Sequence, residues 1–141
     1  EIEGTGQVTQ HAIGDHPGRI RGGVEFTSAA NGYFQGLLAD LAKRAQCRVS
    51  FEQYADPSSV LYNRSRSILF AHDELFGEAL EGNAAECAER VRVVMEEEFG
   101  RACPHHMSAC KAEPALMRRW YKAAEAVRDQ NGRLLPWEPK A

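Results

Sequence analysis

Long apolar runs are missing from this chain. The longest span only a few residues, far short of the ~20 that a membrane-crossing helix needs, so no transmembrane helix is expected. A charged start followed by a long apolar stretch is also missing, so no secretory signal is expected. Positive charge is scarce: 17 Lys and Arg stand against 20 Asp and Glu, for a net charge of −3. That balance argues against an independent nucleic-acid binder, which is ordinarily basic. Cysteine is sparse too. Cys47, Cys87, Cys103 and Cys110 include no Cys-x-x-Cys pair, and without a signal peptide they are expected to stay reduced. Internal repeats and low-complexity stretches are absent. Glu1 in place of Met reads as a processed, cleaved or fragmentary chain.

What remains suits one domain or subdomain: 141 residues, 43% of them hydrophobic, enough for a core. Residues 1–27 are rich in Gly and polar side chains without a clear period, and read as an irregular segment. From Ser28 to about Gln46, Phe34, Leu37, Leu38, Leu41, Ala42 and Ala45 recur at helical spacing. Thr27 or Ser28 can cap that helix. Asn31 and Gln35 fall one turn apart on one face. Gly32 and Gly36 weaken such a helix by about 1 kcal/mol each relative to Ala, which fits either the close approach of another backbone or tight helix packing.

Residues 47–65 carry turn signals. The next pattern is a hairpin. Ile68-Leu69-Phe70 precedes the polar tetrapeptide Ala71-His72-Asp73-Glu74, and Leu75-Phe76-Gly77-Glu78-Ala79 returns. Two carboxylates and an imidazole at an exposed tip suit a hard divalent cation, since Mg²⁺ takes oxygen ligands and keeps several waters. The plainer reading is that acidic residues favour turns. Asn83-Ala-Ala-Glu86 matches a capping box. The helix it opens carries Cys87, Ala88, Val91, Val94, Met95 and Phe99, with Gly100 as its expected end and Glu96-Glu97-Glu98 as a solvated face. Residues 103–112 read as a strand, Pro114 as the start of a last helix with Met117, Trp120, Tyr121 and Ala124 as its apolar stripe, Asp129–Gly132 as a turn, and Leu134–Trp137 as extended. The fold class expected is α+β: a small antiparallel sheet with the hairpin, packed by about three helices.

One cluster invites a zinc reading. Cys103, His105, His106 and Cys110 offer two thiols and two imidazoles. They are crowded into eight residues with adjacent histidines, a spacing that matches no common structural zinc site.

Two segments together resemble the palm of family-A DNA polymerases, the class of bacterial DNA polymerase I and many phage replicases. Asn31, Gln35, Gly36, Ala39 and Asp40 fit the family's Asn-x-x-x-Gln-Gly-x-x-Ala-Asp helix, and His72-Asp73-Glu74 fits its motif C hairpin. Gly18-Arg19-Ile20-Arg21-Gly22 resembles a Gly-Arg-x-Arg element close after the fingers helix. Met117–Lys122 and Gly132–Trp137 look like the carboxyl end of phage-like members. The resemblance runs from about Gly18 onward, so residues 28–141 would be the C-terminal part of the palm and 1–27 would follow a fingers helix that is not here.

The resemblance implies nucleotidyl transfer to a primer 3′ hydroxyl at a two-metal Mg²⁺ site, with metals about 4 Å apart. Asp73 would be one essential metal ligand and Glu74 an auxiliary. Gln35 and His72, with Asn31 close by, would contact the minor groove of the primer terminus, where purine N3 and pyrimidine O2 offer similar acceptors in every base pair. Arg19 and Arg21 would lie near DNA. The second essential aspartate (motif A) and the Lys and Tyr of motif B cannot be found in this sequence. The implied partners are primer–template DNA, a deoxynucleoside triphosphate and the rest of the polymerase, as the same or another chain, with no membrane. The setting would be the cytoplasm of a bacterial or phage-infected cell. Alone, the chain should be inactive. The alternatives are a non-catalytic assembly subunit and a zinc-binding interaction module.

Overall fold

Apolar side chains at helical spacing carry α1 (Phe26–Tyr54) well past Gln46, its expected end. The computed structural model describes residues 6–9, 20–102 and 111–139. It divides into two compact units, Glu1–Lys43 and Arg44–Ala141, with α1 running through the boundary. The helix continues because Ala45 and Val49 are buried, and Glu52 and Gln53, although polar, are buried behind them. It stops at Asp56-Pro57. Ala55 and Asp56 both donate to the Phe51 carbonyl, at 2.7 and 3.1 Å, and Pro57 has no N–H to continue the ladder.

In the first unit, β1 (Gly6–Thr9) pairs antiparallel with β2 (Ile20–Val24), with Val8 opposite Arg21 and an irregularity between Gly6 and Val8. These strands correct the reading of residues 1–27 as irregular throughout. Their glycines hide the alternation by which strands are recognised.

The second unit holds the main described core. Ala45, Val49, Leu61, Cys87 and Val94 form it, and Val60, Leu75, Val91 and Met95 pack against it. β3 (Ser65–Ala71) and β4 (Glu74–Ala79) form the expected antiparallel hairpin. A 3₁₀ turn (Glu81–Asn83) leads into α2 (Ala84–Ala102). Gly100 does not end α2. It is buried inside the last turns of the helix. β5 (Leu116–Met117) pairs parallel with β7 (Leu134–Trp137), and β6 (Val127–Arg128) pairs antiparallel with β7. The α+β class therefore holds, with two α-helices among the described residues.

The expected last helix is not formed. Leu116 and Met117 instead pair with Pro136 and Trp137. Trp120 and Tyr121 are exposed, so the stripe read from the sequence has no surface to bury against, and a short helix without tertiary burial is marginal. Tyr121 stacks on Trp137, centroids 4.9 Å apart. The turn at Asp129–Gly132 is as expected. The Asp129 carboxylate accepts from the Asn131 and Arg133 amides at 2.8 and 2.9 Å, and Gly132 takes φ 79°, a conformation glycine adopts without steric cost. Among the described residues, no helix is long and apolar enough to cross a membrane.

The acidic run on α2 also departs from expectation. Glu96 and Glu97 are part-exposed, but Glu98 is only 3% exposed. It contacts Arg44 at 3.3 Å, Arg48 at 3.1 Å and Arg101 at 2.6 Å. Buried charge of this kind persists because it is paired.

Candidate functional site

The hairpin tip is built from its base upward. Gln53, 2% exposed at the end of α1, fixes that base. Its side-chain carbonyl accepts from the Ser67 amide and hydroxyl, both at 3.2 Å. Its amide donates to Ser65 Oγ at 3.2 Å, and its backbone carbonyl accepts from Asn63 at 3.0 Å. Each group of this buried amide thus has a partner, which is what burial of a polar group demands. Leu75 packs on the core from β4. The strands then approach closely: a Cβ on Gly77 would sit 2.9 Å from the Arg66 carbonyl oxygen. An irregularity between Ser67 and Leu69 inserts Ile68 as an extra residue, and such bulges sharpen the local twist. Arg66 and Glu78 pair across the strands at 2.9 Å, exposed enough that the bond adds little.

At the far end, Phe70 faces Leu75 and Ala71 faces Glu74, so His72 and Asp73 alone form the turn. His72 takes φ 56°. Two-residue hairpin turns favour a positive φ at their first central residue, because that hand matches the strand twist. Glycine or asparagine ordinarily fills the position, although His is among the side chains that tolerate it. His72, Asp73 and Glu74 are all exposed, and none has a side-chain hydrogen bond or ion pair among the described residues. The tip is thus conformationally specified by backbone pairing and chemically free.

The donor set was tested against magnesium. Asp73 and Glu74 bring hard carboxylate oxygens to one solvent-facing turn, which suits a cation that keeps much of its water. Among the described residues, no group of three or more His, Cys, Asp or Glu is placed to hold a metal. Two carboxylates alone do not make a magnesium site, and one here would need further oxygens from outside the described residues.

The other candidates lie as follows. Asn31 and Gln35 are exposed on α1 in the first unit, one turn apart as expected, while Gly32 and Gly36 are buried. Arg21 lies in β2. Arg19 and the cluster Cys103, His105, His106 and Cys110 lie outside the described residues. Cys47 and Cys87 are free thiols. Burial pushes the Cys87 thiol up, so it stays protonated and inert.

Sequence reasoning missed the supports of the tip. Besides Gln53, these are the ion pairs that join α1 to α2. Glu52 accepts from Arg90 Nε and Nη2 at 2.7 and 2.6 Å and from Ser59 Oγ at 2.9 Å. Arg90 holds the Glu52 carboxyl below its ordinary value, against the opposing effect of burial. Arg48 bridges Glu52, Glu97 and Glu98 at 3.3, 2.6 and 3.1 Å. Comparison with protein-family models, curated proteins and solved structures found no match to this chain.

Proposed function

We propose that the chain is the C-terminal palm portion of a DNA-directed DNA polymerase, contributing one metal-binding carboxylate and primer-terminus contacts to nucleotidyl transfer. The observation that carries this reading is the tip itself. His72 and Asp73 form a two-residue turn with His72 at φ 56° and Glu74 just behind it, all three free of side-chain partners on a hairpin fastened at its base. A histidine at a position that favours glycine or asparagine is a local cost, and such costs concentrate at functional sites.

In this reading Asp73 holds Mg²⁺ and Glu74 orients the site through water. The ion, when bound, neutralises charge that develops on the transferred phosphoryl group. The remaining oxygens come from motif A, outside this sequence, so the chain acts only with the rest of the polymerase and is inactive alone. His72 and Gln35 donate hydrogen bonds to minor-groove acceptors, with Asn31 beside Gln35. Primer–template DNA and a deoxynucleoside triphosphate are the other partners.

The test is Asp73→Ala in the assembled enzyme. Nucleotide incorporation should fall by several orders of magnitude while the urea midpoint of the chain stays unchanged, since the Asp73 side chain supports nothing in the fold. Near-normal incorporation removes Asp73 from the active site. It would favour a docking subunit, a reading that the exposed Phe51, Tyr54, Ile68 and Leu69 of the second unit support.

A further inference from the structure

The segment Arg118–Lys122 was expected to be helical and is instead irregular and open, with a bend at Arg118-Arg119 and a turn at Lys122-Ala123. It carries Trp120, 65% exposed, and Tyr121, 51% exposed. Tryptophan is seldom left so open, because its large apolar surface is costly to hydrate. Both rings are braced. Phe76 meets Trp120 edge-on, centroids 6.4 Å apart at 64°, and Trp137 stacks on Tyr121 at 4.9 Å and 21°. Cations flank them. Arg118 is tied to Glu81 at 2.8 Å. Arg119 and Lys122 are exposed, and neither has an acidic partner among the described residues. Glu125 and Glu138 are the exposed carboxylates nearest in sequence along this segment and β7.

Rigid, half-open aromatic rings between unpaired cations match one ligand chemistry well. Unpaired bases stack on aromatic faces whatever their sequence, while phosphates sit against Arg and Lys. We propose that Arg119, Trp120, Tyr121 and Lys122 form a platform for an unpaired DNA strand. Trp120 and Tyr121 receive bases, and Arg119 and Lys122 receive the adjoining phosphates. The Phe76–Trp120 contact joins this platform to β4, two residues along the strand from Glu74. The platform itself does not depend on the polymerase reading, because it uses none of the tip's carboxylates.

The experiment is titration of the full 141-residue chain with a short fluorescein-labelled oligothymidylate, read by anisotropy over a range of salt concentrations. Binding should weaken with salt with a log–log slope of about −1.4, the value for two phosphate contacts on a single strand. Trp120→Ala should weaken binding about tenfold or more, and Trp120→Phe should restore part of the loss. Arg119→Glu with Lys122→Glu should abolish binding. Phe51→Ala, another exposed aromatic, should leave it intact. Circular dichroism should show each variant folded. Failure of the wild-type chain to bind at low salt overturns the proposal, as does wild-type affinity in both the Trp120→Ala and charge-reversed variants. Binding to oligouridylate but not oligothymidylate also overturns it. None of these outcomes bears on incorporation by an Asp73→Ala enzyme, so the two proposals fail separately.

Discussion

Glu52→Ala should be strongly damaging to the second unit. Glu52 is 4% exposed. It accepts two hydrogen bonds from Arg90, one from Ser59, and a further contact from Arg48. Breaking one side of a buried pair costs about 3–5 kcal/mol, because the orphaned charge has lost its water and its partner. Here the Arg90 side chain is 30% exposed and recovers some hydration, which places the expected loss at the lower end, about 3 kcal/mol. For a domain of this size that is a fall in Tm of about 12–24 °C, at about 4–8 °C per kcal/mol.

Urea unfolding followed by circular dichroism at neutral pH measures this directly. Glu97→Ala is the internal reference. Glu97 also meets Arg48, at 2.6 Å, but its side chain is 43% exposed, so its loss should cost about 0.5 kcal/mol. Replacing both partners, Glu52→Leu with Arg90→Met, should recover part of the loss, since it leaves neither member of that pair as an orphaned charge, and only the Ser59 hydroxyl and the part-exposed Arg48 lose a contact. A Glu52→Ala loss under 1 kcal/mol, or one equal to that of Glu97→Ala, would refute the argument that burial sets the cost.

Acid should unfold the chain partly through the same groups. Arg90 lowers the Glu52 carboxyl in the folded state, and hydrogen bonds from Arg92 and Arg128 lower that of Glu89 despite its burial. Their stabilisation is present above the unfolded carboxylate range of about 4.3 and is lost as pH falls through the lower folded values; the urea midpoint should hold from neutral to about pH 5 and then drop, more shallowly in Glu52→Gln. Gly77→Ala should cost about 1–3 kcal/mol by driving a methyl into the Arg66 carbonyl, and unchanged stability would show that the strands yield. At the tip, His72→Val should be less stable than His72→Asn by about 1–2 kcal/mol, because a β-branched side chain tolerates φ 56° worst; equal melting temperatures would remove the strain argument. If the chain is the proposed palm portion, Gln35→Ala and His72→Ala in the assembled polymerase should impair extension of mispaired primer ends regardless of template sequence, and unchanged mismatch extension and primer affinity would make these side chains structural.

The hairpin was legible because its signal is local. An apolar run, a polar pair and an apolar return specify strand, turn and strand within fifteen residues of chain, and Ser65–Ala71 with Glu74–Ala79 is what folds. The start of α1 and the body of α2 were legible for the same reason. What failed needed information from elsewhere in the chain. Met117, Trp120, Tyr121 and Ala124 have helical spacing, but spacing makes a helix only when a surface receives the stripe, and here β7 offers strand pairing instead. Gln53 acts across 14 residues to Ser67, and a lone glutamine in a polar stretch carries no mark of that.

Glu98 and Glu52 are a different kind of miss. Cys87, Val91, Val94 and Glu98 follow one helical stripe, and so do Ala45, Val49 and Glu52. Position places both carboxylates on the buried faces, whereas Glu98 was expected on a solvated face and Glu52 in a segment read as turns. Position prevailed because arginines at 44, 48, 90 and 101 reach over the rim to neutralise them. An acidic residue on an apolar stripe with arginines a turn away is therefore better read as a buried ion pair than as a solvated face.

This division also bears on how the tip can be probed. The groups that hold the hairpin, Gln53, Leu75 and the Glu52–Arg90 pair, all lie at its base or beneath it. The groups with free chemistry, His72 and Asp73 beyond the last strand pair and Glu74 within it, form no side-chain hydrogen bond or ion pair with any of them. A substitution at Asp73 therefore changes chemistry without changing the fold, whereas one at Gln53 would move the tip without altering it. On the proposed polymerase reading, Gln53→Leu in the assembled enzyme should leave two serine hydroxyls and a backbone amide without their Gln53 partner, lower stability and reduce incorporation together. Asp73→Ala should reduce incorporation alone. If both substitutions lower stability to the same extent, the tip is part of the structural core after all, and its exposure has another explanation than chemistry.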